Sequence, residues 1–252
     1  MPGTISQRVS NQPTQGQQRA GVRSIDEASE RSLLKANDNK AHLVDVYDGS
    51  ANRGTTVTVH GINASPDDMR QLALAAQRKG HDVKTFVYDD RKTRLGETSQ
   101  DLAEALTSLS KQKKGPLTIQ AHSMGGRVTV DALRKMQESG VLGGDVKLEL
   151  INPVIGGLDS ANSARLAPGP ISGLIPGANP GKDMGTNSAF QKELETTQLP
   201  KNVKTTVMVG DQDHLVDPKT PHFKAVMDGL NARLVNIAGA DHTNALDRVA
   251  AR

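Results

Sequence analysis

The chain has 252 residues, which suits one large domain, or one domain with a tail, and leaves room for a sizeable core. Cysteine is absent, which excludes disulfides, thiolate metal sites and a cysteine nucleophile. Three arginines within residues 1–23, a stretch without acidic residues, account for the whole formal net charge of +3, and the neutral body with its few aromatic residues argues against a nucleic-acid-binding module.

Residues 1–24 are rich in Ser, Gln, Gly and Arg and offer little to bury, which predicts a disordered basic tail. They show no secretory signal pattern, and no run in the chain approaches the length of about 18 apolar residues that a membrane span needs. We interpret the tail either as a targeting segment read outside the Sec route or as an unselected extension. The protein is accordingly expected to be cytoplasmic by default, or exported by a non-Sec route.

The domain is predicted to comprise residues 25–252, beginning with a short helix at 26–35 and an edge strand at 42–47. Residues 55–60 are β-branched and end at Gly61, which predicts a strand followed by a tight turn. Ser65 and Pro66, followed by two acids, provide the cap, the first-turn proline and the first-turn charges of the next helix.

Strands and helices then alternate along the chain. Further strands are expected at 82–88, 117–122, 146–151, 203–209 and 234–237, with helices at 97–111, 124–137, 222–230 and 243–249. This alternation predicts an α/β fold, a mostly parallel, doubly wound sheet with helices on both faces. Sites in such sheets lie at the carboxyl ends of the strands.

Residues 152–202 break the pattern with an irregular stretch rich in Gly and Pro. A structureless stretch of this length in a compact domain is either functional or disordered. Its aliphatic side chains, among them Ile171, Leu174 and Ile175, argue against plain disorder. We expect a short Gly/Pro-rich lid at about 153–200 over the carboxyl edge of the sheet, the alternative being a loop packed for structural reasons only.

Residues 117–122 pass without a loop into Ser123, after which a helical period begins. So direct a passage from strand to helix forces the apex residue, Ser123, into a strained backbone conformation and leaves its hydroxyl clear of the backbone. Ala121 and Gly125, two positions either side, are small enough for the backbones to pass, although the motif usually has glycine where Ala121 stands. The pattern predicts a nucleophile elbow, against the alternative of a glycine turn with a chance serine.

A serine nucleophile needs a base that takes its proton and a third group that orients the base. His242 is the predicted base, because it follows the last strand by a short glycine-containing loop. His122 is adjacent to Ser123, but consecutive residues at a strand end point in opposite directions. His122 is therefore expected to support the oxyanion-side loop, near His60.

The acid is expected after the strand that precedes the histidine loop. Asp213 is the predicted acid, because three residues after Gly210 its side chain can turn back towards His242. Asp211 is the alternative, and Asp217 is expected to cap the following helix. The resulting chain order of Ser, Asp and His agrees with this architecture.

Two backbone N–H groups must point to where the oxyanion forms, and the loss of one such donor typically costs about 3–4 kcal/mol. Met124, at the start of the elbow helix, is predicted to supply one. The turn after His60 and Gly61 is predicted to supply the other, through Ile62. For His60 and Gly61 the alternative is a plain strand-to-helix turn, which the agreement among three separate segments argues against.

Together the segments around His60–Ile62, Ser123, Asp213 and His242 resemble the α/β-hydrolase superfamily over about residues 42–252. Within it the sequence is similar to bacterial lipases and esterases and to the lipase-like GPI-inositol deacylase group. The second comparison depends on a stretch with Ser188 at its centre. The resemblance does not extend to the basic tail.

The resemblance implies hydrolysis of a carboxylic ester through an acyl-enzyme, with no metal or organic cofactor. Ser123 would attack the carbonyl, His242 would shuttle the proton, and Asp213 would hold the imidazole. Acyl transfer and thioester or amide hydrolysis by the same triad are the alternatives, and a non-catalytic interaction protein is the alternative of another class. The expected partner is a small-molecule or lipid ester, with transient contact to a membrane surface and none to nucleic acid; the oligomeric state is left open.

Overall fold

A computed structural model of the protein describes residues 21–50, 53–112, 115–162 and 179–252. Its strands are β1 (His42–Tyr47), β2 (Thr55–Val59), β3 (Asp82–Val87), β4 (Leu117–His122), β5 (Val146–Ile151), β6 (Val203–Gly210) and β7 (Arg233–Ile237). They form a seven-stranded sheet in the order β1-β3-β2-β4-β5-β6-β7. Only β1 within this sheet runs antiparallel to its neighbour, so the predicted mostly parallel sheet is confirmed.

The helices are α1 (Glu27–Ala36), α2 (Arg70–Arg78), α3 (Leu95–Gln112), α4 (Met124–Glu138), α5 (Asn179–Met184), α6 (Ala189–Thr196), α7 (Pro221–Gly229) and α8 (Ala245–Ala250). A 3₁₀ helix, Pro66–Met69, leads into α2 behind the capping box that Ser65 and Asp68 form. None of the helices in the described ranges is long and apolar enough to cross a membrane.

Helices cover both faces of the sheet, as expected. α3 packs on α4 at one face, and α2 packs on α8 at the other. Successive strand residues point to opposite faces, so Leu150 joins the large core on the α3–α4 side, whereas Ile151 joins the cluster under α2 and α8. Burial on both faces is clearest in β2, where all five residues are buried although three of them are threonines.

The order of the strands creates one position where a site is favoured. From β2 the chain turns to β3 on one side, and β4 then pairs with β2 on the other side. The connections leaving β2 and β4 therefore diverge at their carboxyl ends, which is the topological switch point of an open α/β sheet. Ser123 follows β4 there, and Gly61 follows β2.

Residues 21–24 do not belong to a disordered tail, which corrects the predicted boundary at residue 25. Val22 is buried in the cluster between α1, β1 and β3. The Arg23 amide donates to the Val46 carbonyl at 2.8 Å. The apolar side chain of Val22 anchors this stretch, although its neighbours are polar. The prediction for residues 1–20 lies outside the described residues.

The predicted lid at 153–200 is also corrected in part. Residues 163–178, with the aliphatic residues that motivated the lid, lie outside the described residues. The remainder is built into the domain, because residues 153–158 are largely buried and α5 and α6 occupy most of 179–200. Phe190 and Leu194 of α6 belong to the large core. These two short helices were not predicted.

A buried guanidinium explains why this segment is ordered. Arg127 of α4 is fully buried, and burial lowers the pKa of its side chain to about 9. Its Nη1 donates to the Val154 carbonyl at 2.8 Å and to Gln191 Oε1 at 2.7 Å, and its Nη2 donates to the Asp183 carbonyl at 2.7 Å. One side chain of the elbow helix thus fastens the chain after β5, α5 and α6. This contact could not be read from the periodicity of 153–200.

Replacement of Arg127 by Leu is expected to lower the free energy of unfolding by about 3 kcal/mol or more, because three buried acceptors lose their donors. Arg31→Leu is the control: the Arg31 side chain is 65% exposed and pairs with Glu27 on the surface. Its loss is expected to cost less than about 1 kcal/mol. Urea unfolding of both variants measures the difference, and equal costs would contradict the fastening role.

Candidate active site

Ser123 stands at a strained turn between β4 and α4. Its backbone angles, φ 53° and ψ −125°, lie in a region that a residue with a side chain rarely adopts. Such strain costs about 1–3 kcal/mol and persists only where the surroundings enforce it. Here the Ser123 amide donates to the Ile151 carbonyl at 3.2 Å, and the Ser123 carbonyl accepts from Gly126 at 3.0 Å. The strained apex that the sequence indicated is present.

The turn depends on small residues around it. A Cβ on Gly125 would lie 2.2 Å from the His60 carbonyl oxygen, and one on Gly61 would lie 2.8 Å from Ser123 Cβ. Either contact would push the end of β2 away from the elbow. Ala121 is fully buried, so alanine is accommodated where the motif usually has glycine.

Three side chains predicted from separate segments form one hydrogen-bonded chain. Ser123 Oγ lies 2.9 Å from His242 Nε2, and His242 Nδ1 lies 2.7 Å from Asp213 Oδ2. The carboxylate can only accept, so Nδ1 carries a proton and Nε2 presents its lone pair to the serine hydroxyl. The Asp213 side chain is fully buried and that of His242 is 12% exposed, so of the two only the imidazole is accessible to solvent.

The other oxygen of Asp213 is held by the backbone. Asp213 Oδ1 accepts from the amides of Leu215 at 2.7 Å and Val216 at 3.2 Å. These bonds fix the carboxylate rotamer in which Oδ2 faces His242. Each oxygen of this buried carboxylate therefore accepts at least one hydrogen bond, which offsets the cost of burying its charge.

The two neighbouring acids do different work. Asp211, the alternative acid, accepts from the Gly239 amide at 2.7 Å and so holds the loop that leads to His242. Asp217 was expected to cap α7, but Thr220 is the N-cap, and Asp217 accepts from the Lys219 amide instead. No group of three or more His, Cys, Asp or Glu side chains is arranged to hold a metal ion in the part of the chain that the structure describes.

Backbone donors are available beside Ser123. Met124 is the first residue of α4, so its amide has no acceptor within the helix. Ile62 follows Gly61, which lies so close to Ser123 that a Cβ on it would be 2.8 Å from Ser123 Cβ. Both amides lie at the carboxyl edge of the sheet. Their roles as oxyanion donors stay predictions.

The fold has counterparts among known proteins. Residues 37–155 match a family model described as alpha/beta hydrolase of unknown function (DUF900). Among solved structures, the mature lipase BlEst2 of Bacillus licheniformis matches with a TM-score of 0.60 and 16% identity, over 83% of this chain and 93% of that chain. The chain therefore has the α/β-hydrolase fold, and its residues 37–155 are similar to a family of α/β-hydrolases.

Two further solved structures share this fold. YbtT, a type II thioesterase from the yersiniabactin pathway, has a TM-score of 0.59 and 14% identity, over 83% of this chain and 94% of that chain. Est1E of Butyrivibrio proteoclasticus, with ferulic acid bound, has a TM-score of 0.59 and 15% identity, over 84% of this chain and 90% of that chain. None of the curated proteins gives a significant match.

The narrower resemblance to the GPI-inositol deacylase group stays a prediction. Ser188, at the centre of that comparison, is the N-cap of α6, where its side chain accepts from the Gln191 amide. A helix cap explains this serine without any role in the site.

Asn152 follows β5 directly, and its part in the site was not predicted from the sequence. Its side chain is fully buried just beyond β5. The amide nitrogen donates to the Asp241 carbonyl at 2.8 Å and the His242 carbonyl at 3.3 Å, while the amide oxygen accepts from Gly210 at 2.7 Å. Asn152 therefore joins the loop of the base to the end of the acid strand. Its positive φ of 42°, a conformation that asparagine tolerates, is the signal that only the structure reveals.

His122 supports a different loop from the one predicted. Its Nε2 donates to the His242 carbonyl at 2.9 Å, and the imidazole rings of His122 and His242 are 5.0 Å apart. The loop after β7 crosses the carboxyl edge to bring His242 to Ser123, and this crossing places the His242 backbone beside His122. The ring of His60 contacts α1 instead, through Glu30.

His122 is held neutral in the fold. Burial, and then the nearby charge of His242, lower the pKa of His122 from 6.5 to about 4. The unfolded chain therefore binds a proton at His122 below about pH 6.5, whereas the folded chain does not until about pH 4. The contribution is fully present above pH 6.5 and is lost as the pH falls towards 4.

We expect the free energy of unfolding to fall by about 3 kcal/mol more in the wild type than in His122→Gln as the pH is lowered from 7 to 4. The glutamine side chain can still donate to the His242 carbonyl, but it does not titrate. Urea unfolding at several pH values measures the difference between the two proteins. Parallel pH profiles would show that His122 does not carry this dependence.

Proposed function

We propose that the protein is a serine hydrolase that cleaves a carboxylic ester through an acyl-enzyme formed on Ser123. The observation that carries the proposal is the hydrogen-bonded chain from Ser123 Oγ through His242 to a fully buried Asp213. One hydrogen bond would be enough to satisfy a buried serine hydroxyl. The carboxylate that fixes the second nitrogen of the imidazole is needed only if the imidazole acts as a base. The α/β-hydrolase fold and the match of residues 37–155 to an α/β-hydrolase family model support a hydrolase.

The geometry supports a two-stage reaction. In the first stage, Ser123 Oγ attacks the ester carbonyl while His242 Nε2 accepts the hydroxyl proton and then gives it to the leaving alcohol. Asp213 keeps the imidazole in the tautomer that can accept, and stabilises the imidazolium that forms. In the second stage, water attacks the acyl-serine while His242 Nε2 accepts a proton from the water. The bond between Ser123 Oγ and the acyl carbon then breaks, His242 returns the proton to Oγ, and the carboxylic acid leaves.

Negative charge develops on the carbonyl oxygen in both stages. The Met124 and Ile62 amides are the donors proposed to receive it, one from the helix start and one from the turn after Gly61. Donors on fixed backbone need no reorganisation when the charge forms, which is why such sites act mainly on the transition state. The strained elbow contributes by keeping Met124 and the hydroxyl on the same side of the turn.

Labelling with a fluorophosphonate probe tests the activated serine. Wild type is expected to label, whereas Ser123→Ala and His242→Ala are expected to lose labelling and hydrolysis of p-nitrophenyl butyrate by at least about 10³-fold. Ser188→Ala is the control, because that serine caps α6 away from the triad. Equal labelling of wild type and Ser123→Ala would exclude Ser123 as the nucleophile.

Two neighbouring aspartates give a matched test of the acid. Asp213→Asn is expected to lower kcat by about 10³–10⁴-fold, because an amide at this position no longer favours the tautomer of His242 that accepts from Ser123. Asp211→Asn is expected to change kcat by less than about tenfold, since Asp211 contacts only the loop amide of Gly239 among the described contacts of its side chain. The reverse order of effects would make Asp211 the acid. Both variants are compared on the same ester over a range of pH.

The preference for an acyl chain and the preference for an ester or a thioester bond are two separate properties of the substrate. Esters and thioesters place their carbonyl carbon in the same position relative to Ser123, and a thioesterase is among the proteins of similar fold. Paired ester and thioester substrates with the same acyl chain, varied in length, measure both preferences. Faster turnover of the thioester at every chain length would assign the protein to thioester hydrolysis. A preference for long acyl chains at a lipid surface would support the proposed contact with membranes.

A further inference from the structure

A charged pair from outside the triad is buried beside the turn after β2. Glu30 of α1 is buried, and its Oε1 accepts from His60 Nε2 at 2.9 Å and from the Tyr88 amide at 3.2 Å. Glu30 precedes residues 37–155, the part of the chain that matches the family model. A buried carboxylate is costly unless its partners compensate it. Packing alone gives no reason for a charge at this position.

The second nitrogen of His60 reaches the backbone of the turn. His60 Nδ1 lies 2.8 Å from the Gly61 carbonyl oxygen. A carbonyl oxygen can only accept, so Nδ1 carries the proton of this hydrogen bond. Burial acts to lower the pKa of His60, but the hydrogen bond and the charge of Glu30 outweigh burial, and the pKa is raised above its ordinary value. The Gly61 carbonyl can accept only from a protonated Nδ1, so the charged ring that Glu30 favours keeps a proton at this nitrogen.

The surroundings of His60 leave its ring little freedom. The ring is stacked on that of Tyr88 with centroids 4.5 Å apart, and the Tyr88 hydroxyl donates to the His60 carbonyl at 2.7 Å. The charged and titratable groups that face the ring are Glu30 from α1, Tyr88 from the end of β3 and Asp90 from the loop after it. Asp90 also accepts from the Asn63 amide, one residue beyond Ile62.

The Gly61 carbonyl shares a peptide plane with the Ile62 amide. In a trans peptide the C=O and N–H bonds point in opposite directions. A hydrogen bond that fixes the carbonyl therefore also fixes the direction of the Ile62 N–H. It also polarises the peptide, which makes the N–H a stronger donor. The direction of this N–H is what an oxyanion hole requires.

We propose that Glu30 is a positioning residue that, through His60, orients the Gly61–Ile62 peptide so that the Ile62 N–H points to the oxyanion. The proposal rests on the proposed function, since it presupposes an oxyanion on an acyl group at Ser123. According to this proposal, α1 helps to stabilise the transition state through Glu30, although none of its side chains contacts the substrate. The effect acts on kcat, because the oxyanion exists only in the transition state and the intermediates.

Glu30→Ala is expected to lower kcat for p-nitrophenyl butyrate about 10- to 100-fold, less than the full loss of a donor, with KM changed by less than about threefold. Glu30→Gln is expected to recover most of this loss. Its side-chain amide can donate to Nε2 of a neutral His60, which leaves the Nδ1 proton on the Gly61 carbonyl. Glu27→Ala is the control, because Glu27 lies on the same helix in exposed pairs with Arg31 and Arg91. It is expected to leave kcat within about twofold, as exposed pairs contribute little.

A purely structural role for Glu30 predicts a different result. In that case Glu30→Ala would lower the melting temperature but leave kcat unchanged once the folded fraction is measured by circular dichroism. Ring ¹⁵N chemical shifts give a readout that needs no activity. In wild type and in Ser123→Ala, His60 Nδ1 is expected to be protonated at pH 8, and a His60 ring protonated only at Nε2 would overturn the proposal.

The activity measurements separate the two proposals. If wild type labels with the fluorophosphonate probe and Glu30→Ala has the same kcat, only the positioning role of Glu30 is overturned. If wild type neither labels nor hydrolyses any of the esters and thioesters, the proposed function is overturned, and the catalytic consequence of Glu30 is overturned with it. A lowered kcat in Glu30→Ala with recovery in Glu30→Gln supports both.

Discussion

The backbone conformation of Ser123 is the constraint on which the rest of the site depends. A serine with φ of 53° is stable only where its neighbours enforce that turn. Two glycines allow the enforcement: Gly125 lets the end of β2 approach α4, and Gly61 lets the following turn lie against Ser123. The same close approach brings the backbone of the turn after β2 beside the hydroxyl, so strain and the proposed oxyanion donors have one common cause.

Around this turn, polar side chains at the end of one strand form hydrogen bonds with backbone groups at the end of another strand. The side-chain amide of Asn152, after β5, joins the Gly210 amide at the end of β6 to the carbonyl of His242 after β7. His122, at the end of β4, donates to the same His242 carbonyl. Each interaction satisfies buried groups and fixes the position of the imidazole at once. A fully satisfied network of this kind is rigid, which suits a site in which an imidazole must stay aligned with both Ser123 and Asp213.

Two buried charges attach peripheral helices to the centre. Arg127 binds α5 and α6 to the elbow helix, and Glu30 binds α1 to the turn after β2. Buried charges are weak evidence for stability, because apolar residues of similar volume often pack as well or better. They do specify orientation, since a guanidinium or a carboxylate is satisfied only in one arrangement of its partners. In this fold both are one helical turn or one strand end away from Ser123 or its proposed oxyanion donors.

The sequence by itself determined the strands, most helices, the elbow and the three segments that meet in the triad, since these follow from periodicity and from backbone sterics between adjacent residues. It did not predict α5 and α6, the packing of Val22, or the partner of His122. Those features depend on contacts between distant segments, such as Arg127 with the carbonyl of Asp183. Only the tertiary structure decided which buried polar groups pair, because the order of the strands in the sheet determines which loops cross its carboxyl edge and come within hydrogen-bonding distance.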